Sequence, residues 1–171
     1  MSYLILGASS GLGRELANIL AQNSNDLIII SRDEKDLKAI KFDLETKFKV
    51  VVKYFAVDVS LYDEVKKFLD SNLNLLNEVQ GILFPVGMMK SKDEILTDMS
   101  IINSLIQANM GAVAYFLSKI YPIFIKKNKG VIVGFGSVSS TIGRDVNAIY
   151  AASKRGLESL FESLSIIALP T

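Results

Sequence analysis

Short apolar runs alternate with longer amphipathic stretches along this chain. Residues 3–6 are apolar, end at a glycine and read as a buried strand. Leu12, Leu16, Ile19 and Leu20 then fall at helical spacing. Residues 27–30 predict a second strand, and 33–47 a helix with Leu37, Ile40 and Leu44 on one face. Residues 50–57 predict a third strand. Ser60 with Asp63 has the form of a capping box for a helix through Leu69. Residues 81–86 predict a fourth strand, 100–127 a long helix with Pro122 as the place for a kink or break, 131–135 a fifth strand, and 148–168 a last amphipathic helix. Apolar strands alternating with helices predict a doubly wound α/β architecture. The expected arrangement is a parallel sheet between two helical layers, in a single domain over residues 1–171.

Composition narrows the chemistry. Half of the 171 residues are hydrophobic, which suffices for a sizeable core, and the formal charge is +1. A near-neutral balance without a basic run gives no reason to expect nucleic acid or an anionic membrane surface as partner. There is no cysteine and no histidine. Disulfides, thiol chemistry and the commonest metal ligand are therefore excluded, and a proton must move through Tyr, Lys, a carboxylate, Ser or water. No signal-peptide pattern and no uninterrupted apolar run of the ~20 residues of a membrane span is seen, so the expectation is a cytoplasmic protein without a transmembrane segment or a metal.

Gly7, Gly11 and Gly13 lie between the first strand and the first helix, in Gly7-Ala8-Ser9-Ser10-Gly11-Leu12-Gly13. In that context Gly7 allows a sharp turn, Gly11 lets a phosphate approach the backbone, and Gly13 lets the helix pack on the sheet. The N–H groups of the helix start and the Ser9 and Ser10 hydroxyls are then available to pyrophosphate oxygens. Arg14 and Glu15 follow Gly13 where a nucleoside-triphosphate loop would carry Lys-Ser/Thr, so a dinucleotide is the expected ligand. At the end of the second strand an acidic residue would favour NAD; the chain has Ser31-Arg32 instead. A guanidinium pairs with a ribose 2′-phosphate and stacks on adenine, which favours NADP(H) and leaves NAD(H) as the alternative. Asp33 follows directly and counts against Arg32. Asp58, at the end of the third strand, either accepts from the adenine amino group or binds loop backbone.

Tyr150 and Lys154 are one helical turn apart at the start of the last helix, so both can face one cleft. A cation beside a tyrosine favours its phenolate and brings it closer to proton transfer near neutral pH. Taken alone, the pair reads as a solvated lysine beside a half-buried tyrosine. Ser137 follows the fifth strand, at the sheet edge where such folds bind ligands, and Asn109 lies in the long helix.

In these pieces together the chain resembles the short-chain dehydrogenase/reductase family: the glycine turn, Asp58-Val59, Asn109, Gly130-Val131-Ile132-Val133 leading to Ser137, and Tyr150-Ala151-Ala152-Ser153-Lys154. The resemblance implies a single Rossmann-type dinucleotide-binding domain over residues 1–171, three-layer αβα, and an NADP(H)-dependent oxidoreductase interconverting a carbonyl and a secondary alcohol. It implies Tyr150 as general acid in reduction and Lys154 on the nicotinamide ribose hydroxyls, lowering the tyrosine's pKa. Ser137 would sit on the substrate carbonyl, and Asn109 would hold a water that relays protons to Lys154. Gly7, Ser9, Ser10, Gly11, Leu12, Gly13, Arg32, Asp58, Val59 and Gly87 would line the cofactor with Tyr150 and Lys154.

The resemblance has two departures. After the fourth strand the family usually carries Asn-Asn-Ala-Gly; here Phe84-Pro85-Val86-Gly87 keeps only the glycine, which puts the bracing of this loop in question. The family also continues past the last helix with further strands, so a sheet ending at five strands and an open substrate pocket are expected. The alternatives are then a non-catalytic dinucleotide-binding protein or a fragment of a larger reductase. Residues 143–147, Gly-Arg-Asp-Val-Asn, before Tyr150 look somewhat like reductases of lipid-linked keto-sugars. Phe116, Ile120, Leu160, Phe161 and Leu164 extend the apolar surface of the last two helices, and the family resemblance implies a homodimer or homotetramer through them.

Overall fold

Every apolar run becomes a strand of one parallel sheet in the computed structural model, which describes residues 2–89, 98–142 and 147–168. The strands are β1 (Ser2–Leu6), β2 (Asp26–Ser31), β3 (Val52–Ala56), β4 (Gly81–Phe84) and β5 (Val131–Gly134), in the spatial order β3-β2-β1-β4-β5. Leu4 pairs with Ile28 on one side and Ile82 on the other, so the centre of the sheet is leucine and isoleucine. The order reverses between β1 and β4, and that reversal opens a crevice at the C-terminal ends of these strands. Strand β4 stops two residues short of the predicted end because Pro85 has no N–H to continue the ladder. Among the described residues β5 is an edge strand, paired only to β4.

Helices cover both faces. Helices α1 (Gly11–Gln22) and α2 (Glu34–Phe48) close one side over Ile5, Leu27 and Ile29. Helices α3 (Tyr62–Ser71), α4 (Leu73–Glu78), α5 (Met99–Ile106), α6 (Ala112–Lys127) and α7 (Ala148–Ala168) account for the other. That side buries Leu4, Leu6, Ile28, Ile82 and Phe84 under Val65, Leu76, Phe116 and Leu157. Alternate residues of β1 and β2 feed opposite clusters, as the two-residue period requires.

Several local expectations are corrected. The buried stripe of α1 is Gly13, Ala17 and Ala21, while Leu12 and Ile19 are half exposed. Small residues let the helix axis approach the sheet, and the larger leucines are displaced to its flanks. Ser60 does not cap α3: its N–H and hydroxyl both go to Asp58 Oδ1, at 2.9 and 2.6 Å, and the helix starts at Tyr62 after Leu61 in extended backbone. Asp33 lies outside α2 and caps it, accepting the Asp36 N–H at 3.1 Å. The short helix α4 is unpredicted. Pro122 sits inside α6 without ending it, and the irregularity falls instead at Gln107–Gly111, a π-helical turn joining α5 to α6. The continuous 99–127 helix has the length and hydropathy of a membrane span, but Phe116 and Ile120 on it are fully buried against the sheet. Phe116 and Ile120 are thus core residues, and Leu160, Phe161 and Leu164 pack partly buried on the same cluster.

Candidate active site

The crevice at the strand ends is a cleft of about 520 Å³, lined by the glycine turn, Ser31-Arg32, Asp58-Val59 and the loop from Pro85 to Met88. Its floor is shaped by close backbone packing. Gly7 has φ +100°, a left-handed value, and its N–H donates to Ile30 O at 2.8 Å. A β-carbon there would lie 2.8 Å from Val86 Cα. A β-carbon on Gly13 would overlap the Gly7 carbonyl oxygen. Nothing lies within 4 Å of the place a Gly11 side chain would take, so that backbone faces open space at the start of α1. Ser10 is the N-cap of α1, is exposed, and makes no side-chain capping bond, which leaves its hydroxyl and the first helical N–H groups available to an anion. The Ser9 hydroxyl accepts from Ser31 Oγ at 2.7 Å, tying the turn to the end of β2. Leu12 is half exposed at the rim.

Arg32 extends into solvent, 75% exposed, with its guanidinium 3.9 Å from Asp58 Oδ2. The other Asp58 oxygen is taken by Ser60, so Asp58 is a loop-organising carboxylate as well as part of the lining. Because Asp33 is engaged in capping α2, Arg32 is the cation presented at the end of β2. A phosphate monoester placed there would compete with one loose, solvated ion pair.

The loop after β4 is held from behind. Asn109, fully buried in the π-helical turn, accepts the Met88 N–H at 2.6 Å and donates to Met88 O at 2.9 Å. Lys154, 3% exposed, donates from Nζ to Val86 O at 3.1 Å and to Phe135 O at 3.2 Å, bridging the ends of β4 and β5. These four bonds supply the bracing that Phe84 and Pro85 cannot. Phe84 itself turns inward and packs edge-on against Phe116 and Phe161. Gly87 lies between the two anchors: a β-carbon there would be 3.6 Å from Lys154 Nζ and 3.8 Å from Asn109 Oδ1. Burial pushes the Lys154 ammonium below its ordinary pKa of 10.5, with the nearby Glu158 carboxylate opposing.

Ser137 opens a 3₁₀ turn, Val138–Ser140, directly after β5. Its Oγ accepts the Ser139 N–H at 3.2 Å, which leaves the hydroxyl proton to donate elsewhere. Tyr150 is half-buried in the first turn of α7, on the face of Lys154, and its hydroxyl has no hydrogen-bond partner among the described residues. Asn147 is buried just before the helix, donates to Ser139 Oγ at 3.3 Å, and its Oδ1 has no partner among the described residues. Residues 143–146, from which a sugar-like substrate is read, lie outside the described residues. Among those described, no group of three His, Cys, Asp or Glu side chains is placed to hold a metal.

The fold thus brings Asn109, Lys154 and Gly87 together and leads the glycine turn, Arg32 and Asp58 into one cleft with Gly87. Sequence reasoning missed Glu158, whose carboxylate accepts the Ser137 N–H at 3.0 Å. The available signal was its position one helical turn beyond Lys154.

Comparison with known proteins shows the family and the fold. The family model for short chain dehydrogenases matches residues 2–168. An oxidoreductase of Staphylococcus saprophyticus is 24% identical over 161 residues, covering 94% of this chain and 69% of the relative. A very-long-chain 3-oxoacyl-CoA reductase of Debaryomyces hansenii is 30% identical over 171 residues, covering 95% of this chain and 49% of the relative. A solved short-chain dehydrogenase from Sphingobium yanoikuyae, in complex with NADPH, superposes with a TM-score of 0.89 at 26% identity, over 98% of this chain and 65% of that one. The chain therefore spans between half and about two thirds of the length of these proteins.

Proposed function

This chain belongs to the short-chain dehydrogenase family, and we propose that it is an NADP(H)-dependent oxidoreductase interconverting a carbonyl and a secondary alcohol. The observation that carries the proposal is the convergence of Lys154 and Asn109 on Gly87, at the edge of a cleft whose other end is the glycine turn and Arg32. A dinucleotide laid along that cleft would put its pyrophosphate over Gly11 and the α1 N-terminus and its adenosine between Arg32 and Asp58. Leu12 and Val59 would be apolar contacts on its flanks. The cavity left by Gly11 and the unused donors at Ser10 fit such a group. The bound nicotinamide supplies or accepts hydride.

The chain's own residues handle the proton and the charge. Tyr150 donates its phenolic proton to the carbonyl oxygen in reduction and takes it back in oxidation. Lys154 holds positive charge beside the tyrosine and favours the phenolate left behind. The Ser137 hydroxyl, whose lone pair is occupied by Ser139 N–H, donates to the same substrate oxygen and steadies its developing charge. Asn109 contributes by clamping Met88, which fixes the wall of the cleft next to Lys154. A water relay through Asn109 would have to share its amide with those two backbone bonds.

The relative from Debaryomyces reduces 3-oxoacyl-CoA thioesters by its name, and a 3-oxo ester is therefore a reasoned first substrate. Reduction of ethyl 3-oxobutanoate by NADPH tests the reading, with Tyr150→Phe as the diagnostic variant. Turnover should vanish in that variant while NADPH affinity stays nearly constant; undiminished turnover would overturn the mechanism. Dinucleotide binding without turnover is the second reading, because the cleft lining contains the glycine turn, Arg32 and Asp58 but neither Ser137 nor Tyr150. It predicts NADPH binding with no consumption of any carbonyl.

A further inference from the structure

Outside the groups already assigned roles, one half-buried carboxylate contact has no structural duty that the helix itself requires. Glu158 lies on α7, one turn past Lys154 and two past Tyr150. Its Oε1 accepts the Ser137 N–H at 3.0 Å and the Ser140 hydroxyl at 2.5 Å. Its Oε2 is 3.8 Å from Arg155. The Ser140 hydroxyl also faces Ser137 O at 2.5 Å, so its one proton is shared between that carbonyl and the carboxylate. One carboxylate oxygen thus ties both ends of the Ser137 turn to the helix that carries Tyr150 and Lys154. Gly136 belongs to the same device: a β-carbon there would overlap Glu158 Oε1, so the glycine leaves the space that the carboxylate fills.

We propose that Glu158 is a positioning residue, holding the Ser137 turn against α7 so that the Ser137 hydroxyl stands in register with Tyr150. This rests on the oxidoreductase reading above. Two hydroxyl groups carried on separate segments must meet one substrate oxygen, and a loop displacement of ~1 Å is enough to degrade such an arrangement. A single side-chain oxygen that accepts from a backbone N–H and from a hydroxyl joins the two segments at one point. The two bonds also hold the Glu158 carboxyl below its ordinary range, Ser140 contributing most and the Ser137 N–H next.

The test compares Glu158→Ala, Glu158→Gln and Gly136→Ala in the full chain. Two readouts are used: reduction of ethyl 3-oxobutanoate by NADPH, and amide hydrogen exchange at Ser137. Glu158→Ala should lower kcat roughly tenfold, short of the ~10²-fold seen when an oxyanion donor is deleted outright. KM for the ester and NADPH affinity should change much less, and Ser137 N–H should exchange faster. Glu158→Gln keeps an acceptor oxygen in place and should restore kcat to within about threefold of the parent. Gly136→Ala pushes on the carboxylate from the other side. It should reproduce the alanine effect, and combined with Glu158→Ala the losses should fall well short of additive. A kcat for Glu158→Ala within about twofold of the parent, or no rescue by glutamine, overturns the proposal. If the parent chain leaves the ester untouched, the reduction reading falls by itself. The Ser137 exchange rate then decides for or against Glu158.

Discussion

Gly13→Ala sets two known effects against each other, and the structure says which wins. Alanine in place of a helical glycine normally stabilises by about 0.8–1.0 kcal/mol. At Gly13 the added β-carbon overlaps the Gly7 carbonyl oxygen and lies 2.9 Å from Gly7 C and 3.1 Å from Ala8 Cα. All three are backbone atoms, so no side chain can rotate away. Gly7 cannot retreat, because its N–H is bonded to Ile30 O and Val86 packs against it. Forcing a methyl group into such a site costs about 1–3 kcal/mol, and with the start of the helix fully constrained the upper half of that range applies. The net is a loss of about 1–2 kcal/mol, or a drop in Tm of roughly 2–8 °C for a chain of this size. The relief available is to move α1 away from the turn, so NADPH affinity should fall more steeply than stability does. Thermal unfolding followed by circular dichroism, and titration of NADPH fluorescence, measure the two. A Gly13→Ala protein with equal or higher Tm and unaltered NADPH binding would show that the close packing of α1 on the turn is not real.

Other expected outcomes follow from the same geometry. NADPH should bind more tightly than NADH, and Arg32→Ala should cost NADPH about tenfold, one exposed charge-assisted bond of about 1.5 kcal/mol, with NADH unchanged; equal losses for both cofactors would remove Arg32 from the 2′-phosphate. Arg32→Asp should reverse the preference. Phe116, fully buried between Phe68 and Phe84, should cost about 3–5 kcal/mol in urea unfolding when cut to alanine; a loss under about 1 kcal/mol would place it outside the core. Burial lowers the Lys154 pKa below 10.5, so in the window just below that value the unfolded chain binds the extra proton and this lysine's contribution to stability rises with pH. Lys154→Met should abolish that rise between neutral and alkaline pH, and an identical pH slope in both proteins would contradict the burial argument.

What the sequence determined by itself is local. Strand runs, helix faces, the glycine turn after β1 and the one-turn separation of Tyr150 and Lys154 all follow from a period of two, a period near 3.6, or the conformational freedom of glycine. Those rules also fail locally where contact overrides them. The Leu12 and Ile19 stripe of α1 gives way to Gly13, Ala17 and Ala21 because the helix must approach the sheet closely. Ser60 serves Asp58 instead of a helix because a carboxylate two residues away offers its hydroxyl and N–H a better partner. Only the tertiary structure decided what each site residue is bonded to. Asn109 meets Met88, Lys154 meets Val86 and Phe135, and Glu158 meets Ser137, across sequence separations of 19 to 68 residues. Helical spacing says which side chains share a face; it carries no information about which loop that face meets. The order β3-β2-β1-β4-β5 supplies it, by setting β4 and β5 side by side with their ends under α7. Residues already legible as candidates are there converted into one braced site.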